Sequence, residues 1–126
     1  MAARLNAGEV ECVAGMDEDF DWEIFEKDGK TPVVLEVNDV IQAHFAASEG
    51  GTSTLAFTSA AASANGSSVS KTANTLPRTG YPLHLDGTDT GSWSGVMHLE
   101  MNLVDSGDSN RVKQFLRCKI RVLQSQ

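Results

Sequence analysis

The stretch GVMHLEMNLVDSGDSNRVKQFLRCKIRVL, residues 95–123, decides the fold. In its first part Met97, Leu99, Met101 and Leu103 fall on one side, and Val96, His98, Glu100 and Asn102 on the other. In its last part Val112, Gln114, Leu116, Cys118, Ile120 and Val122 oppose Lys113, Phe115, Arg117, Lys119 and Arg121. A period of two sustained this far marks a half-buried strand, whereas a helix repeats every 3.6 residues. Residues 105–110 (DSGDSN) are turn formers, so the two strands are expected to form a hairpin.

Working outward, the same period recurs. Residues 9–13 (EVECV) read as a short strand, and residues 20–26 (FDWEIFE) place Phe20, Trp22 and Ile24 on one face. The Asp28-Gly29 pair predicts a tight hairpin turn. Pro32 lacks an N–H for the ladder, which makes residues 33–37 an edge segment. Residues 39–46 and 54–57 are two strands joined by a hairpin loop over 48–53, with Ile41, Ala43, Phe45, Leu55 and Phe57 inward. Residues 81–85 (YPLHL) are a further strand, and residues 86–94 a loop with two glycine turn signals. Residues 58–80 are rich in Ser, Ala, Thr and Asn and too small and polar to supply core. They are expected to form one long loop, with a helical turn over 60–64 and a short strand near Val69.

These elements predict one domain over residues 1–126. It is all-β, an immunoglobulin-like antiparallel β-sandwich of about seven or eight strands with one long Ser/Ala-rich loop. A chain of 126 residues buries enough surface to hold its own core.

Composition narrows the function. The formal net charge of −7 opposes binding of nucleic acid by the surface as a whole, because phosphates require a positive field. No apolar run approaches the length of a membrane span, and the first residues (MAARLNAGEVE) lack the apolar core of a leader, so synthesis and assembly in a cytoplasm are expected. Cys12 and Cys118 form no CxxC pair and read as buried free thiols, with a disulfide between first and last strands as the alternative.

The charges are segregated. Acidic Glu9, Glu11, Asp17, Glu18, Asp19, Asp21, Glu23, Glu26 and Asp28 crowd one early stretch, whereas Arg111, Lys113, Arg117, Lys119 and Arg121 share one late strand around Phe115. Three arrangements follow, of which binding of nucleic acid by the basic stripe is opposed by the acidic remainder of the surface. The charges pair within the domain across neighbouring first and last strands. Alternatively, the basic stripe docks on the acidic surface of the next subunit, with Asp17 and Asp19 on the receiving side.

Little else suggests chemistry. Asp17-x-Asp19-x-Asp21 opens like a calcium loop, but Trp22 stands where the sharp turn needs glycine. His44, His84 and His98 have no mutual ligand spacing, and no nucleophile elbow, phosphate loop or HExxH motif occurs. A non-enzymatic protein without cofactor, metal or small-molecule ligand is expected. Trp93, between small residues in GSWSG, either caps the sandwich or anchors a partner. With Tyr81 it supports a second reading, a carbohydrate- or receptor-binding module.

The order of motifs carries a resemblance. Residues 15–32 (GMDEDFDWEIFEKDGKTP) precede VIQAHFA and a Gly-Thr turn into TLAF, and GVMHLEMNLVDSGD at 95–108 leads to the final strand. This resembles the N-terminal domain of phage baseplate upper proteins and related small phage structural proteins. The resemblance implies a β-sandwich that acts as an assembly module in a virion, put together in the host cytoplasm. Its partners would be copies of itself and other virion subunits. With no receptor-binding extension in the sequence, a tail or baseplate adaptor or a capsid decoration protein is expected.

Overall fold

The computed structural model describes residues 2–5, 10–25, 30–31, 35–70 and 81–124, with the backbone alone at 2–5, 21–25, 81 and 115. Within them the chain forms two sheets. One has strand order β1-β3-β7-β6, from Ala2–Leu5, Glu18–Phe25, Tyr81–Leu85 and Ser68–Val69. The other has order β2-β9-β8-β4-β5, from Glu11–Val13, Arg111–Leu123, Gly95–Asp105, Val40–Ala46 and Leu55–Thr58.

The core lies between the sheets and follows the alternation. Ile41, Ala43 and Phe45 of β4 and Met97, Leu99, Met101 and Leu103 of β8 are buried, as are Leu116, Ile120 and Val122 of β9. Phe20 of β3 and Leu83 and Leu85 of β7 meet them from the other sheet. Phe45 stacks on Phe57 with ring centres 5.9 Å apart and tilts against Trp93 at 5.4 Å. Trp93 thus closes one end of the sandwich, and its carbonyl accepts from the Gln124 side chain at 3.2 Å.

The architecture is all-β and two-layered, with several departures from the sequence reading. The pairing is antiparallel throughout except for β2, which runs parallel to the end of β9 through Glu11↔Arg121, Cys12↔Val122 and Val13↔Leu123. The larger sheet is therefore mixed. Ala2–Leu5 forms an unexpected strand on β3, and β3 also pairs with β7. The Asp28-Gly29 turn and residues 32–34 lie outside the described residues; Leu35 and Glu36 are not strand, and Val37 and Asn38 form a turn.

Asp39 explains that turn. Its buried carboxylate accepts from the Glu36 N–H at 2.8 Å and from the Ser106 N–H and hydroxyl at 2.9 and 2.7 Å. A buried carboxylate must be fully hydrogen-bonded, and here satisfying it ties residues 36–39 to the β8–β9 connection. That connection is a 3-10 turn, Ser106–Asp108, followed by Ser109 and Asn110 in the left-handed region.

The Ser-rich segment is more ordered than its composition suggests. Ser68–Val69 is the short strand expected near Val69, whereas residues 60–64 make no helical turn. The serines converge instead on Asp89, in the one-turn helix α1 (Gly87–Thr90) that replaces part of the expected 86–94 loop. Ser63 and Ser67 hydroxyls donate to Asp89 Oδ2 at 2.6 and 2.5 Å, and Asn65 donates to Oδ1 at 2.9 Å. Desolvation alone would raise the Asp89 pKa, but these bonds outweigh it and hold the carboxyl below its ordinary value. Residues 71–80 of the expected loop lie outside the described residues.

Candidate functional site

The solvent side of the five-stranded sheet carries most of the residues singled out from the sequence. Cross-strand register orders them into rows. Ala46, His98 and Lys119 form one, and His44, Glu100 and Arg117 the next. Gln42, Asn102 and Gln114 follow, and then Val40, Val104 and Val112.

The last row was not legible from alternation. Between Met101 and Asn102 the register slips, because Met101 pairs with Leu116 and Asn102 with Gln114, leaving Phe115 as an extra residue. A bulge of this kind inverts the facing of everything beyond it. Lys113 therefore pairs with inward-facing Leu103, while Val112 turns outward at 56% exposure. The single basic face expected for Lys113, Arg117, Lys119 and Arg121 is corrected: Lys113 leaves it, and Arg111, which pairs with Asp105, lies beyond the bulge with it. The Phe115 side chain lies outside the described residues.

Most of these bases are neutralised within the chain. Lys113 Nζ lies 2.9 Å from Asp105 and 3.1 Å from Asp108, and Arg111 lies 3.8 Å from Asp108. Hydrogen bonds from Asp105 and Asp108 raise the Lys113 pKa, and the Lys113 bond lowers that of Asp108. Arg117 reaches Glu49 at 3.0 Å and Glu100 at 3.7 Å. Arg121 Nη2 meets Glu11 Oε2 at 2.6 Å. Of the pairing foreseen between the acidic stretch and the last strand, Glu11–Arg121 is the pair that forms across β2 and β9 among the described residues; the other acids, Asp105, Asp108, Glu49 and Glu100, lie outside that stretch. Lys119 is the base of the stripe with no ion-pair partner among the described residues.

Loop 48–53, tied to this face by the Arg117–Glu49 pair, borders an open cleft of about 250 Å³ with His44, His98, Glu100 and Lys119. Ser53 Oγ stands 3.3 Å from His44 Nδ1. Glu100 is engaged by Gln114 and Arg117 rather than by His44 among the described residues.

Asp17 and Asp19 lie elsewhere, at the start of β3. Glycine at 87 allows this placement: a side chain there would put its Cβ 2.5 Å from the Gly15 carbonyl oxygen. The turn before β3 can therefore sit on α1, where the Gly15 N–H donates to Thr90 Oγ1 at 3.1 Å and the Gly87 N–H to Asp17 Oδ1 at 2.8 Å. Asp19 accepts from His84 Nδ1 at 2.7 Å. That hydrogen bond is the main reason the His84 pKa rises, with the charges of Asp17 and Asp86 adding to it.

Trp93, read as a candidate anchor, is only 4% exposed. Its burial against Phe45 removes it as a stacking platform, and the Tyr81 side chain lies outside the described residues. Both cysteines are free. Burial pushes the Cys118 thiol up to about 11, and burial followed by the nearby Glu18 charge raises Cys12, so neither is poised as a thiolate. Among the described residues no helix is long and apolar enough to cross a membrane. No family model matches the chain, and no curated protein matches it.

Proposed function

We propose that the protein is a non-enzymatic structural component of a bacteriophage virion, a tail or baseplate adaptor or a capsid decoration protein. In this reading it assembles in the host cytoplasm with copies of itself and with other virion subunits. The sequence resemblance suggests the setting, and one structural observation supports the mode of action. The row Val40–Val104–Val112 presents apolar side chains on the solvent side of the sheet and ends at β9, whose outer edge is paired only through Arg121–Leu123 by β2 among the described residues.

An unpaired strand edge offers N–H and C=O groups in register for an added strand, and proteins that do not use such an edge normally cover or blunt it. Here it is flanked by an exposed valine and, further along, by Lys119, which has no ion-pair partner among the described residues. Apolar contact would supply affinity, and Lys119 would favour an acidic partner segment such as the negatively charged region of another copy. The neutralised bases Lys113 and Arg117 are not required for docking.

Light scattering at low and high salt, over a range of concentrations, tests the reading. The expected result is a concentration-dependent oligomer that Val112→Asp with Lys119→Glu dissolves while the melting temperature stays within a few degrees. A monomer under all conditions that also fails to bind purified virion subunits overturns it, as does an oligomer indifferent to both substitutions.

A further inference from the structure

Where the β2–β3 turn, the end of β7 and the start of α1 meet, a ring nitrogen of His84 and one carboxylate oxygen each from Asp17 and Asp86 lie within 4.8 Å of one another. We propose that these three side chains form a site for a borderline divalent cation of the Zn²⁺ type, with Asp19 as the outer carboxylate that orients His84.

Three features carry the assignment. First, the donors come from separate segments held in place independently of any ion. Asp17 is fixed by the Gly87 N–H, Asp86 by its cap on the Thr88 N–H at 2.8 Å, and the intervening approach by Gly87 and Thr90. Each carboxylate keeps a second oxygen beyond its backbone bond. Second, Asp19 engages His84 Nδ1, which fixes the tautomer and leaves Nε2 as the basic nitrogen. A carboxylate behind the imidazole is the usual outer partner of a metal-binding histidine. Third, Asp17, Asp19 and Asp86 surround one imidazole, and no lysine or arginine pairs with any of them among the described residues.

The donor set selects the ion. Calcium and magnesium take oxygen ligands, whereas one imidazole with two carboxylates suits Zn²⁺ and its neighbours. Three protein ligands leave a position for water or a further group. The site is at the opposite end of β9 from the valine row and does not depend on the assembly reading.

The test uses the full chain, freed of metal by chelation, at pH 8. Zn²⁺ binding is followed by calorimetry and by the shift in melting temperature, and Co²⁺ binding by its visible absorption. One equivalent is expected to bind in the micromolar range or tighter. Asp17→Asn and Asp86→Asn keep an oxygen for the Gly87 and Thr88 N–H groups but lose the anionic ligand, so each should weaken binding at least roughly tenfold. Asp19→Asn should weaken it by roughly 10–100-fold, the usual effect of losing an outer carboxylate. His84→Gln should abolish binding and the Co²⁺ band, whereas His98→Gln should leave both intact. Absence of Zn²⁺ binding, or binding unchanged in Asp17→Asn and Asp86→Asn, overturns the proposal; because these variants keep the backbone bonds, the test does not hinge on whether His84→Gln folds.

Discussion

Lys113 and Arg117 stand on opposite faces of β9, because the extra residue between Leu116 and Gln114 inverts the strand between them. The two bases therefore answer differently to charge reversal. Lys113→Glu would set a third carboxylate beside Asp105 and Asp108, so the melting temperature should fall, and fall less in high salt. Arg117→Glu would release Glu49 and free loop 48–53, with a loss of about 0–1 kcal/mol in stability, since the pair is exposed. Neither should alter the oligomeric state measured by light scattering.

Asp89 should be the keystone of the Ser-rich segment. Asp89→Ala leaves the hydroxyls of Ser63 and fully buried Ser67 without their acceptor and should cost about 1–3 kcal/mol in denaturant unfolding. Hydrogen exchange should rise first in residues 63–69. The folded pKa lies below the ordinary 3.8, so this stabilisation is present above about pH 4 and is lost as the pH falls through the folded value. The acid-unfolding curve of Asp89→Ala should accordingly be shallower than that of the parent.

His84 should titrate above 6.5 when followed by NMR, and Asp19→Asn should bring it most of the way back, since the Asp19 bond is the largest cause of the rise. The linkage runs opposite to that of Asp89. The contribution of protonated His84 is complete below pH 6.5 and disappears as the pH climbs through the raised value.

Trp93→Ala should behave as a core deletion, costing about 3–5 kcal/mol by chemical denaturation. Phe45 would lose its aromatic neighbour at that end of the sandwich. Binding to a glycan array should be no different in the folded variant.

Much of the sandwich was legible because alternation is a backbone property: β4, β7, β8 and the inner half of β9 lie where the apolar residues repeat. The outer half of β9 was misread at one residue. Nothing in RVKQFLRCKIRVL marks the bulge, since the sequence alternates through it without a break, and the slip shows in the cross-strand pairing, where Met101 meets Leu116 but Asn102 meets Gln114. The valine row depends on three strands in register, which no single segment encodes. The cluster at His84 had a partial signal, the i, i+2 spacing of His84 with Asp86 and of Asp17 with Asp19. Their meeting, however, depends on Gly87 letting two distant turns touch. Trp93 lay in a polar context, and burial there reflects the aromatic pair it completes rather than its neighbours in sequence.

The parallel seam between β2 and β9 has a kinetic consequence. Val10, Cys12 and Ala14 join the larger sheet only through Arg121, Val122 and Leu123, the most distant pairing in the described chain. Closing so long a loop is entropically expensive and comes late. The hairpin of β8 and β9 and the β4–β8 pairing can form without the early segment, which must wait for β9 before it docks. Until then the lower end of β9 is bare on the side that β2 covers, a window in which nascent chains can exchange this segment with one another. A helper that shields this edge until β2 docks would thus favour correctly closed protein.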